Sequence, residues 1–288
     1  MKISFIVLTY NRSDALVLVL NSLAKQCKNN HEVIIADDGS TQIQIDELQQ
    51  QCPAFNCRVL HVWHPDNGFT ASISRNLAAS QSCGDYLVFL DGDCVPNRHF
   101  VKHHENLARN GCFVNGSRVL ISQQLTEKII KNNVDIAAQS VTFWIGARIR
   151  GDCNKLLQLF TWPSRWFRVK QGFAWRGIRS CNFGVWRSDF AAVNGFDETF
   201  EGWGHEDADL VLRLANLGIN RTNGFLATEV FHLWHKQNAR TNDSLNRQRV
   251  VARMKTKLIL AERGLNQTMF SNTVKITNLQ PTATSRMT

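Results

Sequence analysis

Two carboxylates, Asp91 and Asp93, stand one glycine apart where the apolar run Tyr86-Leu-Val-Phe-Leu90 stops. In an extended segment residues i and i+2 point the same way, so the pair can converge on one ligand, and Gly92 leaves room for phosphates to approach the backbone. Two hard oxygen donors on a short corner suit magnesium or manganese, which such sites hold through one or two carboxylates plus substrate phosphates. An Asp-Gly step is also an ordinary hairpin signal, so the triplet read alone serves either a metal site or a turn. Two further groups bear on the chemistry. Glu206 and Asp207 follow Gly202-Trp-Gly204 and open an amphipathic stretch. Acidic residues favour the first turn of a helix for dipole reasons alone, which leaves Trp203, held between two glycines just ahead of them, unexplained. His232 and His235 lack the His-Glu-x-x-His pattern of zinc hydrolases. A histidine at a strand end could instead complete a site begun by Asp91 and Asp93.

The elements that must position these groups follow an α/β rhythm. Residues 86–90 have the length and the aromatic and β-branched content of a buried strand, and open α/β sheets bind ligands at the ends of such strands. Upstream, the pattern predicts strands over 2–9, 31–36 and 58–63, alternating with helices over 14–24, 44–51 and 70–80, the first capped by Asn11 or Ser13. This order predicts a parallel sheet with its strand-end loops on one edge. That edge collects Thr9, Tyr10, Asp38, Arg75, Asp91 and Asp93. Beyond Pro96 the rhythm changes. A helix over 97–110, a β-rich stretch over 112–122, a strand at 181–187 and a helix over 205–217 ending at Gly218 are expected. A strand over 227–231 and a basic amphipathic helix over 243–263 then precede a frayed tail rich in Thr, Ser and Asn.

With 288 residues, 43% of them hydrophobic, the chain can bury a sizeable core and falls outside the disordered classes. Lys and Arg exceed Asp and Glu by 33 to 24, a net charge of +9, which points to an anionic partner such as a phosphorylated substrate, nucleic acid or membrane surface. Between 148 and 179, eight basic residues face one acidic residue, Asp152, with Phe160, Trp162, Trp166, Phe167, Phe173 and Trp175 interleaved. Such a stretch can make peripheral contact with an anionic membrane, form an active-site lid, or simply pack. Stacking of single-stranded nucleic acid is the weaker alternative: no nucleic-acid module is readable, and no nucleic acid is expected as a partner. The N-terminus reads as a first strand rather than a signal peptide, and no run approaches the roughly 18 apolar residues of a membrane span. A cytoplasmic protein, at most peripheral to the membrane, is the expectation. Its eight cysteines lack paired Cys-x-x-Cys spacing and are expected to be free thiols.

Taken together, Phe5-Ile-Val-Leu-Thr-Tyr-Asn-Arg12, Asp37-Asp-Gly-Ser40, Asn67-Gly-Phe-Thr-Ala-Ser-Ile-Ser-Arg-Asn76 and Leu90-Asp-Gly-Asp93 resemble glycosyltransferase family 2, an inverting family. Gly202-Trp-Gly-His-Glu-Asp-Ala-Asp209 looks like the acceptor-side motif of its galactosyltransferase-like branch, which includes bacterial chondroitin-polymerase domains. The resemblance covers roughly residues 2–236 and implies an α/β GT-A fold. In that fold a Rossmann-like nucleotide-binding half is fused to an acceptor-binding half around one mixed sheet. Residues 1–95 would bind the nucleotide sugar, 96–241 the acceptor, and 242–288 would form a C-terminal helix and flexible tail. The resemblance also implies that Thr9, Tyr10 and Arg12 line the nucleotide pocket, that Asp38 meets the base, and that Arg75 and Asp91 approach the nucleotide and its ribose. Asp93 and His232, with His235 as alternative, would hold the divalent metal, Mn2+ or Mg2+. Asp207 would be the catalytic base, with Glu206, Trp203 and Gly204 holding the acceptor sugar.

The function so implied is transfer of a sugar from a nucleotide-diphosphate donor, a UDP-sugar by resemblance, to a hydroxyl of a growing surface glycan or lipopolysaccharide oligosaccharide. The acceptor would be a glycan or a lipid-linked glycan. A sugar nucleotidyltransferase would need a Gly-rich basic loop after the first strand, where Thr-Tyr-Asn-Arg-Ser-Asp stands instead. A catalytically silent nucleotide- or carbohydrate-binding protein is the other alternative, against which the intact acidic groups and Gly-Trp-Gly loop weigh.

Overall fold

A computed structural model of the chain describes residues 1–156, 159–162, 167–174, 177–236, 242–268 and 273–280. The first half alternates as the hydrophobic pattern dictates: β1 (Ile3–Thr9), α1 (Ser13–Ala24), β2 (His31–Asp37), α2 (Gln42–Gln51), β3 (Arg58–Trp63), α3 (Ala71–Ser80) and β4 (Tyr86–Asp91). All four strands are nearly continuous apolar runs because both faces of a parallel sheet are covered. Alternation then splits β1: Ile3, Phe5 and Val7 join the core against α1, while Ile6 joins the opposite core with Leu77 of α3.

A short strand β5 (Cys94–Pro96) is followed by α4 (Phe100–Leu107), β6 (Cys112–Asn115), β7 (Ser117–Leu120), α5 (Gln123–Lys131) and α6 (Val141–Ile149). Then come β8 (Val169–Lys170), β9 (Asn182–Trp186), α7 (Arg187–Ala192), α8 (Glu206–Asn216), β10 (Asn220–Asn223), β11 (Glu229–His232), α9 (Asp243–Arg253) and β12 (Lys275–Asn278). The main sheet runs β12-β3-β2-β1-β4-β9-β6-β10-β8. The four early strands pair in parallel, and β9 inserts antiparallel between β4 and β6, making the sheet mixed and welding the later chain to the earlier. A second sheet, β5-β11-β7, stands beside it.

Several expectations need correction. Neither Asn11 nor Ser13 caps α1: Asn11 accepts from the Thr41 N–H at 2.8 Å, and Ser13 donates to Glu47 at 2.6 Å, so both tie α1 to α2. The helix expected over 97–110 keeps only 100–107, because Asn97 turns the chain by accepting the His99 N–H at 2.9 Å. The β-rich stretch 112–122 divides at Gly116 between the two sheets. The basic helix stops at Arg253, and part of the expected tail is β12, an antiparallel edge strand against β3. All eight cysteines are free, as expected. Among the described residues, no helix is long and apolar enough to cross a membrane.

Candidate functional site

Because β1, β2 and β4 are parallel neighbours, their ends bring Thr9, Asp38, Asp91 and Asp93 to one edge. Gly92, expected from sequence to leave room for a ligand, lines the cleft and is also needed small for packing. Its N–H donates to the Leu8 carbonyl at 2.7 Å, and a Cβ would lie 2.9 Å from the same oxygen, so its smallness lets the corner pack on β1. Asp38 is held from α3: Oδ1 accepts the Thr70 and Ser74 hydroxyls, each at 2.6 Å, and Oδ2 accepts the Thr70 N–H at 3.0 Å. Burial alone would lower the pKa of His64, but Asp38, 3.2 Å away, raises it. Tyr10, half exposed, donates its hydroxyl to Asp66 at 2.8 Å, and Arg12 pairs with Asp14 at 2.9 Å.

Arg75, expected to approach a nucleotide, lines the cleft with its guanidinium already paired. Its buried guanidinium reaches Asp91 Oδ1 at 2.9 Å and Glu206 Oε1 at 3.3 Å, and lies over the Phe196 ring. It is a strut between the end of β4 and the start of α8. Loss of water around Asp91 raises its pKa, with Arg75 opposing the shift.

The end of β11 is pinned to the acidic corner, since the Leu233 N–H donates to the Asp93 carbonyl at 2.9 Å. His232 Nε2 then stands 3.7 Å from Asp93 Oδ1, and His235 Nε2 3.4 Å from Oδ2, so both histidines reach the carboxylate. Desolvation keeps His232 neutral, its pKa lowered to about 4, which leaves a ring nitrogen free to ligate. One donor atom each from Asp93, Cys94 and His232 falls within 4.8 Å of the others, so the residues fit a divalent ion.

On the facing side, Gly202 (φ 72°), Gly204 (φ 106°) and His205 (φ 72°) take left-handed backbone conformations that turn Trp203 to the cleft and start α8 at Glu206. A positive φ at His205 is strained for a non-glycine residue. Its ring is held by Asp243 at 3.2 Å, while Asn246 donates to the Glu201 and Gly204 carbonyls at 3.2 and 3.0 Å. Thus α9 clamps the loop. Asp207 accepts the Ala208 N–H at 2.7 Å and the Ser180 N–H at 3.3 Å. Desolvation in the cleft, then the neighbouring Glu206 charge, push its pKa up to about 7.

All the expected site residues line one cavity of about 1220 Å³, with Trp203, Glu206 and Asp207 on the same cleft as Asp91, Asp93 and His232. Sequence reasoning missed Arg118, Arg179 and Ser180, which line it too, the clamp residue Asn246, and Cys94, which is buried behind the lining directly after Asp93. Only Cys94 carried a signal, its place directly after Asp93. In the basic-aromatic stretch, Phe160, Trp162 and Phe167 are exposed, but Arg150, Lys155 and Arg168 are committed to Asp152, Glu229 and the Asn223 and Phe225 carbonyls. Trp166 and Trp175 lie outside the described residues.

Comparison with known proteins matches the model of Glycosyl transferase family 2 to residues 4–172 and that of the N-terminal domain of galactosyltransferase to residues 168–236. A hyaluronan synthase of Pasteurella multocida is 29% identical over 237 residues, 75% of this chain and 23% of that protein. The chain spans about half or less of the length of the first curated relatives it matches. Its fold is shared with Staphylococcus aureus TarS 1-349 in complex with UDP-GlcNAc, at a TM-score of 0.55 and 18% identity, covering 93% of this chain and 69% of that one. It is also shared with the mannosyltransferase PcManGT from Pyrobaculum calidifontis in complex with GDP-Man and Mn2+, at 0.54 and 15%, covering 88% and 62%. The α/β architecture is that of the GT-A glycosyltransferases, as expected.

Proposed function

This chain belongs to glycosyl transferase family 2, and from that premise we propose that it is a metal-dependent, inverting glycosyltransferase. It moves a sugar from a nucleotide-diphosphate donor, a UDP-sugar, to a hydroxyl of a growing surface glycan or lipopolysaccharide oligosaccharide. The observation that carries this reading is one cleft lined by both the acidic and histidine residues of a metal-type donor set and a carboxylate of raised pKa. The nucleotide sugars in the TarS and PcManGT structures support the donor class.

In this reading residues 1–95 hold the donor. Asp38 meets the base, Thr9, Tyr10 and Arg12 line the nucleotide pocket, and Asp91 faces the ribose while Arg75 keeps that carboxylate in place. Asp93 and His232, with His235 in reach, hold the metal. The bound ion, Mn2+ or Mg2+, would neutralise charge that develops on the departing diphosphate. Residues 96–241 hold the acceptor, with Trp203 against the sugar face and Glu206 and Gly204 beside it. Asp207 takes the proton of the acceptor hydroxyl as its oxygen attacks the anomeric carbon opposite the leaving group. One displacement inverts that carbon, and a base so placed is typically worth about 10²–10⁴-fold in rate. The exposed Phe160, Trp162 and Phe167 suit a lipid-linked acceptor at the inner, cytoplasmic face of the membrane.

The test is thermal unfolding with a panel of nucleoside diphosphates and nucleotide sugars, with and without manganese. UDP compounds with metal should stabilise the chain, by about 2.7 kcal/mol at a hundred times their Kd. If no nucleoside diphosphate stabilises it under any metal, the transferase reading falls and a silent binder takes its place.

A further inference from the structure

The metal corner contains a donor that the mechanism above does not use. Cys94 is fully buried, directly follows Asp93 and, in the antiparallel pairing of β5 with β11, lies opposite His232. Its Sγ is 3.5 Å from Asp93 Oδ1, and His232 Nε2 is 3.7 Å from that same oxygen. For a tetrahedral ion with metal–sulfur bonds of about 2.3 Å and metal–oxygen bonds of about 2.0 Å, the two ligand atoms sit about 3.5 Å apart. The Cys94–Asp93 separation matches that edge, and the 3.7 Å between His232 and Asp93 is a few tenths of an ångström longer than the nitrogen–oxygen edge of about 3.3 Å that an ion would draw together.

We propose that Cys94 is the third protein ligand of this metal position, beside Asp93 and His232, and that the sulfur, nitrogen and oxygen set favours a borderline-soft ion such as zinc. The proposal rests on the reading of Asp93 and His232 as metal-holding residues. Hard oxygen sites suit magnesium and manganese, whereas thiolate and imidazole donors move preference toward zinc. Three protein ligands leave a fourth tetrahedral position for a water or diphosphate oxygen, the pattern of an open zinc site. As the metal–sulfur bond forms, the Cys94 S–H bond breaks and its proton passes to solvent. Ligation by the Cys94 thiolate therefore releases one proton to solvent.

The experiment uses the full reduced chain, stripped with chelator and titrated calorimetrically with zinc, manganese and magnesium in two buffers of different ionisation enthalpy. Wild type should release about one proton per zinc bound and none per manganese bound. Cys94→Ser and Cys94→Ala should lose at least about 100-fold in zinc affinity, since even outer-shell partners of a metal are worth about 10–100-fold, and keep manganese affinity within about threefold. Circular dichroism without metal reports whether each variant is folded, and the wild-type proton count stands whatever the variants do. Zinc binding without proton release, or unchanged zinc affinity in a folded variant, overturns the proposal. Asp93→Ala separates the two levels: if it binds both metals as wild type does, the metal corner itself has been misread.

Discussion

Across the cleft, two carboxylates live in opposite surroundings. Asp38, at the end of β2, accepts three hydrogen bonds of 2.6 to 3.0 Å from Thr70 and Ser74. Asp207 has two backbone N–H groups, one of them at 3.3 Å, and the charge of Glu206 beside it. The edge carrying Asp38 stands on regular strand ends, and the loop carrying Trp203 on left-handed backbone that α9 must clamp. In the proposed reading the group that binds is satisfied in advance, while the group that takes a proton is left short of partners so that its pKa rises toward the working pH.

The largest expected effect tests that contrast directly. Asp207→Asn should lower turnover by about 10²–10⁴-fold while donor affinity, read by calorimetry, stays within about twofold. Unchanged turnover removes Asp207 from the chemistry. Asp93→Ala should do the reverse, abolishing metal-dependent donor binding with a loss of at least about 100-fold in metal affinity.

Next in size is the pH dependence. A base whose pKa is about 7 must be deprotonated to act, so kcat/KM should rise with pH and level off above about pH 8, falling to about a tenth of its plateau near pH 6. Removing the positive charge in Arg75→Gln should move this limb to higher pH, because Arg75 opposes the rise at Asp207. A profile that does not move would make the strut purely mechanical. Stability carries the same sign. Asp207 holds its proton more tightly folded than unfolded, so its ionisation costs stability as pH rises from about 4 to about 7. Asp207→Asn should therefore melt higher than wild type by an amount that grows over that window, on the order of 1–3 kcal/mol at pH 8.

The smallest effect belongs to the satisfied side. Ser74→Ala removes one of three donors to Asp38 and should weaken UDP binding by about 1 kcal/mol, with no change in the pH profile. A shifted profile would mean the two ends of the cleft are not separate.

The sequence carried the early strands well, and for a plain reason. Val33 to Ala36 or Tyr86 to Leu90 are buried on both faces, so each run is apolar throughout and ends where the sheet ends. It misjudged places where a side chain has a distant partner. Ser13 looks like a cap but bonds to α2, and nothing near Arg75 in the chain announces the two carboxylates that hold it. The tail looked frayed because β12 is fully exposed, with no buried face to impose an alternating pattern.

What the sequence determined by itself is the parallel α/β start, the acidic corner after β4 and the glycine-flanked tryptophan ahead of Glu206, since each depends on neighbours in the chain. Only the tertiary structure decided that Asp91 and Glu206 share Arg75, although Arg75 and Glu206 are 131 residues apart. It likewise decided that Cys94 lies opposite His232 and that Asp207 loses enough water to hold a proton near neutrality. Hydrophobic periodicity specifies an element and its buried face. Which side chains meet at the end of that element depends on strand order, and here β9 and β11 set that order from the far side of the chain.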